Sequence, residues 1–190
     1  MKVTISEITE SDRAAFAWRH PFIDKAPETT VLAQWDFGGI VRQHEQREIF
    51  AFHSDDTGPL LFDVRGIKDA LTLHGKLNFA MLEAELTTEW VEHIRANGGV
   101  EAEHMARLTA VDLDRPGVAV LWGNGYTTLL DGNSRLVRRW DDGLRTFRFA
   151  RISDSRIMKY VCLPGDEEKF FEAAKPQKGM TTLSKRVITR

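Results

Sequence analysis

The sequence contains very little cysteine. Cys162 is the only one among 190 residues, so an intramolecular disulfide is impossible and a zinc site built from several cysteines is excluded. Its neighbours in "KYVCLP" have the apolar pattern of a buried strand, which favours a core position for the thiol over a nucleophile. The chain therefore has to fold without cysteine-based cross-links.

Long apolar segments are also missing. No run approaches the roughly 18 to 20 residues needed to span a bilayer, and the first residues, "MKVTISEITESDRAAF", lack the apolar core of a signal peptide. We therefore expect a cytoplasmic protein with no membrane partner. The composition, 42% hydrophobic and 28% charged, is typical of a globular protein, and the length predicts one domain of moderate size with a small appended part.

The histidines lack a metal-binding pattern. His44 and Glu45 are not followed by the second helical histidine that a zincin motif needs. His53, Asp55 and Asp56 lie close together in "FHSDDTG", but carboxylates are common in turns for conformational reasons. A magnesium site in that turn is the weaker of the two interpretations.

Charge is distributed unevenly along the chain. Residues 1–134 contain 12 Lys/Arg and 21 Asp/Glu, whereas residues 135–190 contain 14 Lys/Arg and 7 Asp/Glu. A basic C-terminal third suits a partner that carries phosphate, such as a nucleotide or DNA. A solvated basic face beside an acidic one explains the same pattern equally well.

Helical patterns occur in three parts of the chain. "ESDRAAFAW" predicts a short helix with Ser11 as its cap. Helical spacing extends over residues 76–97, with a cap at Thr87/Thr88 and an end at Gly98/Gly99. "DEEKFFEAA" predicts another short helix, and the polar tail from Lys175 is expected to be partly disordered.

Alternating apolar residues predict strands over much of the remaining chain. The predicted strands are "TTVLAQWDF", "REIFAFH", "LLFDV", "RLTAVDL", "VAVLW", "YTTLL", "LRTFRFARI" with Phe147 and Phe149 on one face, and "RIMKYVCL". The turns "SDDTGP" and "GNG" predict two hairpins. Helices and strands together predict an α/β fold with a mixed sheet.

The segment "LLDGNSRLVRRWDDG" joins a predicted strand to a helix that stops before Gly143. At about 100° per residue, the helix has an apolar face and an opposite charged face. The apolar face holds Leu136, Val137 and Trp140, and the charged face holds Arg135, Arg138, Arg139 and Asp142. We expect the helix to pack through its apolar side and to present its arginines to a partner.

The bend at Gly132 has the features of a phosphate site. The free N–H groups of a helix N-terminus favour phosphate, and Arg135 is placed to add a forked, bidentate contact. Asp131 precedes the bend, where it can bind a metal, orient Arg135 or accept a proton from a substrate hydroxyl. The alternative is that Asp131 only caps the helix and Gly132 only makes the turn, and the two interpretations carry equal weight.

The run from Pro116 to Ile152, "PGVAVLWGNGYTTLLDGNSRLVRRWDDGLRTFRFARI", resembles the core of the ParB/sulfiredoxin superfamily. The resemblance lies in the order of strand, hairpin, box with a terminal arginine, helix, glycine turn and strand. It extends less closely upstream, through the helix from Thr87 to Gly98. It implies an N-terminal extension (residues 1–58), a ParB/sulfiredoxin-like α/β core (59–163), and a short helix with a basic tail (164–190).

The box "DGNSR" separates the activities found in this superfamily. Sulfiredoxin boxes resemble "GGCHR", whose catalytic cysteine falls on Asn133, which argues against sulfinic acid reductase activity. Partition-protein boxes resemble "GERR", which Gly132 and Arg135 match while Ser134 does not, and no DNA-reading helix-turn-helix motif is evident after residue 165. The most similar box is "DGNHR", which is found in ParB-like proteins that resemble kinases and in phage-encoded relatives. Only Ser134 differs from that box.

This resemblance implies a nucleotide-binding phosphotransferase that acts on a small molecule or a nucleic-acid base. The nucleotide is ATP, ADP or CTP, bound with Mg²⁺. The backbone from Gly132 through Asn133 to Ser134 then cradles phosphate, Arg135 neutralises developing charge, and Asp131 holds the metal or the acceptor hydroxyl. Further contacts come from Arg138 and Arg139.

A second hypothesis needs no catalysis. In it the arginine face and the basic C-terminal tail bind DNA through phosphate contacts that do not depend on sequence. Such binding weakens steeply with salt, because each contact releases counterions. Nucleotide binding, by contrast, would be saturable and would depend on Arg135.

Overall fold

The computed structural model describes residues 2–17, 41–42, 49–54, 58–73, 77–97, 100, 102–162 and 187–188. Backbone contacts divide the chain into two compact units, one of residues 1–18 and 68–157 and the other of residues 19–67 and 158–190. The division falls within a helix, after Ile67. The boundaries predicted after residues 58 and 163 delimit the ParB/sulfiredoxin-like core that the resemblance implies, and they stay a prediction.

Strands and helices are interspersed along the chain. In chain order they are β1 (Val3–Ser6), α1 (Glu10–Phe16), β2 (Val41–Arg42), β3 (Ile49–Ser54), β4 (Gly58–Asp63), α2 (Val64–Leu71), β5 (Ala80–Glu85), α3 (Thr88–Asn97), α4 (Ala102–Arg107), α5 (Ala110–Leu113), β6 (Gly117–Leu121), β7 (Thr127–Asp131), α6 (Asn133–Asp141), β8 (Thr146–Ser153), α7 (Asp154–Ile157), a 3-10 turn (Met158–Tyr160), β9 (Val161–Cys162) and β10 (Val187–Ile188). Within these described residues, no helix is long and apolar enough to cross a membrane.

The first unit is built on a five-stranded sheet in the order β1-β5-β8-β6-β7. The neighbouring strands are antiparallel except β6 and β8, which run parallel. Leu82 lies opposite Phe149 and Ala84 lies opposite Phe147. The prediction of an α/β fold with a mixed sheet is therefore confirmed.

One face of this sheet packs against α3 and α6. Phe147 and Phe149 are both buried there, 6.4 Å apart between ring centroids, as their alternation along the strand predicts. α6 contributes Leu136 and Val137 to the same cluster, and α3 contributes Val91 and Ile94. The apolar side of α6 therefore packs as predicted, and this packing holds the helix over β8.

α1 is attached to the sheet by a charged contact. Asp12 is buried, and its Oδ1 forms a salt bridge with Nη2 of Arg148 on β8 at 2.7 Å. Thr9, rather than the predicted Ser11, caps α1, because the Thr9 hydroxyl and the Asp12 carboxylate bond each other's backbone N–H groups. The carboxylate of Asp12 thus both caps the start of the helix and anchors the helix to the sheet.

The second unit contains the predicted hairpin of β3 and β4, with β9 as a third antiparallel strand. β2 pairs with β10, so Val187 and Ile188 of the predicted tail form a short strand. The rest of that tail, the helix predicted in "DEEKFFEAA" and the strand predicted in "TTVLAQWDF" lie outside the described residues.

One prediction of secondary structure within the sheet was wrong. Residues 80–85 form β5 rather than helix, because pairing with β1 and β8 satisfies their backbone on both sides. The helix begins at Thr88, as the predicted cap at Thr87/Thr88 indicates, and Oγ1 of Thr87 accepts the N–H of Trp90 at 3.3 Å. Its predicted end at Gly98/Gly99 lies outside the described residues.

The strands predicted in "RLTAVDL" and "RIMKYVCL" were also wrong. In the first, Thr109 and Asp112 form a reciprocal capping box that begins α5. In the second, α7 and the 3-10 turn occupy the segment up to Tyr160, and only β9 is extended. β-branched and aromatic residues suggested strands, but local side-chain hydrogen bonds and packing decide otherwise.

Gly117, at the start of β6, lies close to both β7 and β8. A Cβ at this position would lie 2.6 Å from the carbonyl oxygen of Asp131 and 2.8 Å from Cε1 of Phe147. Gly117→Ala should therefore lower the free energy of unfolding by about 1 to 3 kcal/mol, as overpacking does. The measurement is urea unfolding followed by tryptophan fluorescence.

Gly123, just beyond the other end of β6, supplies the matched control. A Cβ there would meet only Oδ2 of Asp154, at an ordinary 3.4 Å. Gly123→Ala should change the unfolding midpoint much less. If both variants lost the same free energy of unfolding, the steric explanation for Gly117 would be contradicted.

Candidate functional site

β7 passes into α6 through a single glycine. Gly132 is the N-cap residue with φ of 105°, and it has no side chain that could cap the helix. The first helical bond runs from the N–H of Leu136 to the carbonyl of Gly132 at 2.8 Å. The N–H groups of Asn133 and Ser134, in the first turn, therefore have no partner within the helix.

The glycine is also required by packing. A Cβ on Gly132 would lie 2.8 Å from Cζ of Phe147 and 3.1 Å from the Cα of Gly117. Its positive φ adds strain for any other residue. The turn interpretation of Gly132 is therefore sufficient to explain the residue itself, and evidence for a ligand has to come from its neighbours.

Three charged side chains meet beside this bend. Oδ2 of Asp131 lies 3.0 Å from Nη2 of Arg135 and 3.4 Å from Nζ of Lys68. Nη2 of Arg135 also donates to the carbonyl oxygen of Pro116 at 3.3 Å. The side chains of Lys68 and Arg135 are only 3% and 6% exposed, while that of Asp131 is 22% exposed. Solvent therefore reaches the cluster through Asp131.

Lys68 was not predicted from the sequence. It lies in α2, within the amphipathic segment "VRGIKDAL", where a lysine normally occupies the solvent side. Its contact with Asp131 joins residues far apart in the chain. Only the packing of α2 beside β7 brings the ammonium group to the carboxylate.

The charges around Asp131 determine its protonation. Burial acts to raise the pKa of the Asp131 carboxyl, but the positive charges of Arg135 and Lys68 and their hydrogen bonds outweigh it. The pKa therefore lies well below its usual range. Asp131 is an anion at neutral pH and a weak proton acceptor, which suits it to orienting Arg135 rather than to general base catalysis.

Asn133 and Ser134 follow the bend. Asn133 is 8% exposed, and its Oδ1 has no hydrogen-bond partner among the described residues. Ser134 is half-buried, so its side chain is reachable from solvent. The residues that the box prediction placed together, from Asp131 to Arg135, do lie at one helix end, but Arg135 faces inward.

The two remaining predicted arginines contact the protein itself. Nε of Arg138 binds the carboxylate of Asp142 at 3.0 Å, and its Nη1 donates to the carbonyl of Met105 at 3.3 Å. Arg139 donates to the carbonyl oxygens of Thr146 (2.8 Å) and Leu113 (2.9 Å) and to Oδ1 of Asp114 (3.2 Å). The charged face of α6 thus connects it to α4, α5 and β8, and its role toward a ligand stays a prediction.

The surroundings of Asp131 do not fit a bound Mg²⁺ ion. Mg²⁺ needs oxygen ligands in an octahedral arrangement, whereas Oδ2 of Asp131 already faces two cationic groups. In the part of the chain that the structure describes, no three His, Cys, Asp or Glu side chains group so as to hold a metal ion. The predicted turn carboxylates Asp55 and Asp56 lie outside that part.

Comparison with protein-family models, curated proteins and solved structures finds no match to this chain. The fold and the site define the chain as an α/β protein with a charged cluster at a strand-to-helix junction. Its resemblance to the ParB/sulfiredoxin superfamily stays a prediction.

Replacing Asp131 with asparagine tests the charged cluster. Asp131→Asn should lower the free energy of unfolding at pH 7 by about 3 kcal/mol, because two buried cations lose their counterion. The folded-state pKa of Asp131 lies below its ordinary value of 3.8. The extra stability of wild type over Asp131→Asn is therefore fully present above that ordinary value, and it is lost as the pH falls through the folded-state pKa. Urea unfolding between pH 7 and pH 2 measures both effects.

The control is Asp142→Asn on the same helix. Asp142 pairs with Arg138 at the same i,i+4 spacing, but both side chains are about one-third exposed. Loss of such a pair should cost less than about 1 kcal/mol. The charged cluster does not stabilise the fold as described if the free energies of unfolding of wild type and Asp131→Asn change in parallel down to pH 2.

Proposed function

We propose that this protein binds a nucleotide by its phosphate group at the N-terminus of α6. The observation that carries the proposal is the uncapped start of this nine-residue helix, where Asn133 and Ser134 follow a left-handed glycine. N–H groups in this position bind phosphate, and the helix dipole favours the negative charge.

The charged cluster supports the same ligand chemistry. A Cβ on Gly132 would lie 3.2 Å from Nη2 of Arg135, so the guanidinium group lies directly beside the bend. Lys68 reaches the same carboxylate as Arg135. An anion at the helix end would therefore be attracted by the net positive charge of this cluster, which has two cations and one carboxylate.

Asp131 has a positioning role in this proposal. Its carboxylate holds Arg135 and Lys68 in place without taking part in binding itself. Because its pKa is lowered, it is a poor acceptor for a substrate proton. The ParB-like resemblance implies three further proposals: phosphoryl transfer, a catalytic role for Asp131 and Arg135, and the use of Mg²⁺. Turnover assays with and without Mg²⁺ would test them.

Placing a carboxylate at Ser134 tests the binding site without disturbing the buried cluster. Ser134→Asp puts a negative charge in the first turn of α6, which should stabilise the helix by about 0.3 to 1 kcal/mol. The same charge should repel phosphate and abolish nucleotide binding. A thermal-shift screen with ATP, ADP, CTP and GTP measures both, since ligand at about one hundred times its Kd adds about 2.7 kcal/mol to wild type.

Ser134→Ala is the matched control, because it removes the hydroxyl but keeps the backbone N–H groups and adds no charge. It should retain a nucleotide-dependent rise in melting temperature. The proposal is wrong if no nucleotide raises the melting temperature of wild type, or if Ser134→Asp binds nucleotide as wild type does. Binding of duplex DNA at low salt that is unchanged by Ser134→Asp would support the DNA-binding hypothesis instead.

A further inference from the structure

β1 is an open edge of the five-stranded sheet. It pairs with β5 on one side, and no described strand pairs with its other side. Natural sheets protect such edges with charged residues, proline or a bulge, because an open edge pairs readily with another strand. The segment "VTIS" of β1 is short, but it contains no charge or proline, and its pairing with β5 is regular. Its outer side is therefore able to bind a further strand.

The outward-facing backbone groups of β1 follow from its pairing with β5. The N–H of Glu85 donates to the carbonyl oxygen of Lys2 at 3.0 Å, so Lys2 directs its backbone groups toward β5. In an antiparallel strand these groups alternate between the two sides from one residue to the next. Val3 and Ile5 therefore direct their N–H and C=O groups away from β5, and the edge offers a donor and an acceptor at each of them.

The side chains of the same two residues are apolar and exposed. Val3 is 38% exposed and Ile5 is 73% exposed. Val3 lies opposite Ala84 and Ile5 lies opposite Leu82, and both partners belong to the core cluster beneath α3 and α6. Directly opposite residues point to the same face of a sheet. Val3 and Ile5 therefore extend this apolar face beyond the part that the helices cover.

This edge is complementary to itself. If a second copy pairs antiparallel about Thr4, Val3 of each copy lies opposite Ile5 of the other, and each such pair exchanges both backbone hydrogen bonds. The β-branched side chains then form pairs on one face, and the two Thr4 side chains meet on the other, and both kinds of pair stabilise sheets. Pairing about Ile5 would instead place the charged Glu7 opposite Val3. The sequence of the edge therefore favours the pairing about Thr4.

We infer that two copies of this protein associate through β1, with Val3 opposite Ile5, so that their two five-stranded sheets become one. β1 and β7 are opposite edges of the sheet, so the pairing does not involve the candidate phosphate site at the end of β7. Two four-residue strands bury less than the roughly 1,200 Å² of a stable complex. The association is therefore weak and depends on protein concentration.

Sedimentation equilibrium of the full chain tests this association. Wild type should pass from monomer to dimer between about 10 μM and 1 mM, the range of small and transient interfaces. Ile5→Lys should stay monomeric over the same range, because a charge replaces the apolar partner of Val3. Its melting temperature should match that of dilute wild type, since the side chain of Ile5 is exposed. If this variant folds poorly, Val3→Lys replaces it.

Val111→Lys is the matched control for the loss of an exposed apolar side chain. Val111 is 67% exposed and lies on α5, outside the sheet. This variant should dimerise as wild type does. If it loses association to the same extent as Ile5→Lys, the copies meet through general surface hydrophobicity and the inference is overturned.

A disulfide tests the register of the pairing. Around the two-fold axis the two Thr4 residues are a non-hydrogen-bonded pair with Cα atoms about 4.5 Å apart, within the range of about 4.4 to 6.8 Å that a disulfide spans. Thr4→Cys should therefore form a covalent dimer under mild oxidation, and peptide mapping distinguishes this bond from one that involves Cys162. Lys2→Cys should not, because Lys2 lies opposite Ser6, about 13 Å along the strand from its own copy.

The outcomes decide the inference in either direction. Concentration-dependent dimers of wild type that Ile5→Lys abolishes, together with cross-linking of Thr4→Cys alone, support it. Dimers that persist in Ile5→Lys, or cross-linking of Lys2→Cys as fast as of Thr4→Cys, overturn it. A wild type that remains monomeric at 1 mM also overturns it, and leaves the edge to an extended segment of a different protein.

Discussion

The interaction on which the rest of this site depends is the contact of one carboxylate, Asp131, with two buried cations, Arg135 and Lys68. Burying an isolated charge is very costly, and each member of the cluster is tolerated because of the others. The same guanidinium group also holds the carbonyl of Pro116, immediately before β6. One cluster thereby fixes α2, β7, α6 and the start of β6 relative to one another.

This arrangement gives the helix N-terminus a rigid setting. Gly132 and Gly117 lie so close to Phe147 that a Cβ on either would come within 2.8 Å of the ring, and the ring in turn belongs to the core beneath α6. The bend is therefore held by sterics on one side and by charge on the other. A site that binds an anion through backbone N–H groups benefits from such support, because the groups are oriented before the ligand arrives.

Local signals in the sequence were sufficient for one continuous part of the fold. The hairpin of β6 and β7, the bend at Gly132, α6 and its end at Gly143, and β8 were all predicted, because each boundary has a turn residue of its own. β5 was misread as helix because Leu77, Met81 and Ala84 also fit a helical stripe. Whether such a segment becomes a strand depends on the partners β1 and β8 on either side of it, which a single segment does not reveal.

By itself, the sequence determined that a strand, a left-handed glycine and a helix follow one another at "DGNSR", since backbone sterics and turn chemistry act over a few residues. The tertiary structure alone decided which charges meet there. It brought Lys68 to Asp131 and turned Arg135 inward. It also engaged Arg138 and Arg139 with neighbouring backbone and left Oδ1 of Asn133 without a partner among the described residues. The reason is physical: partners of polar side chains are set by packing between distant segments, not by spacing along one helix.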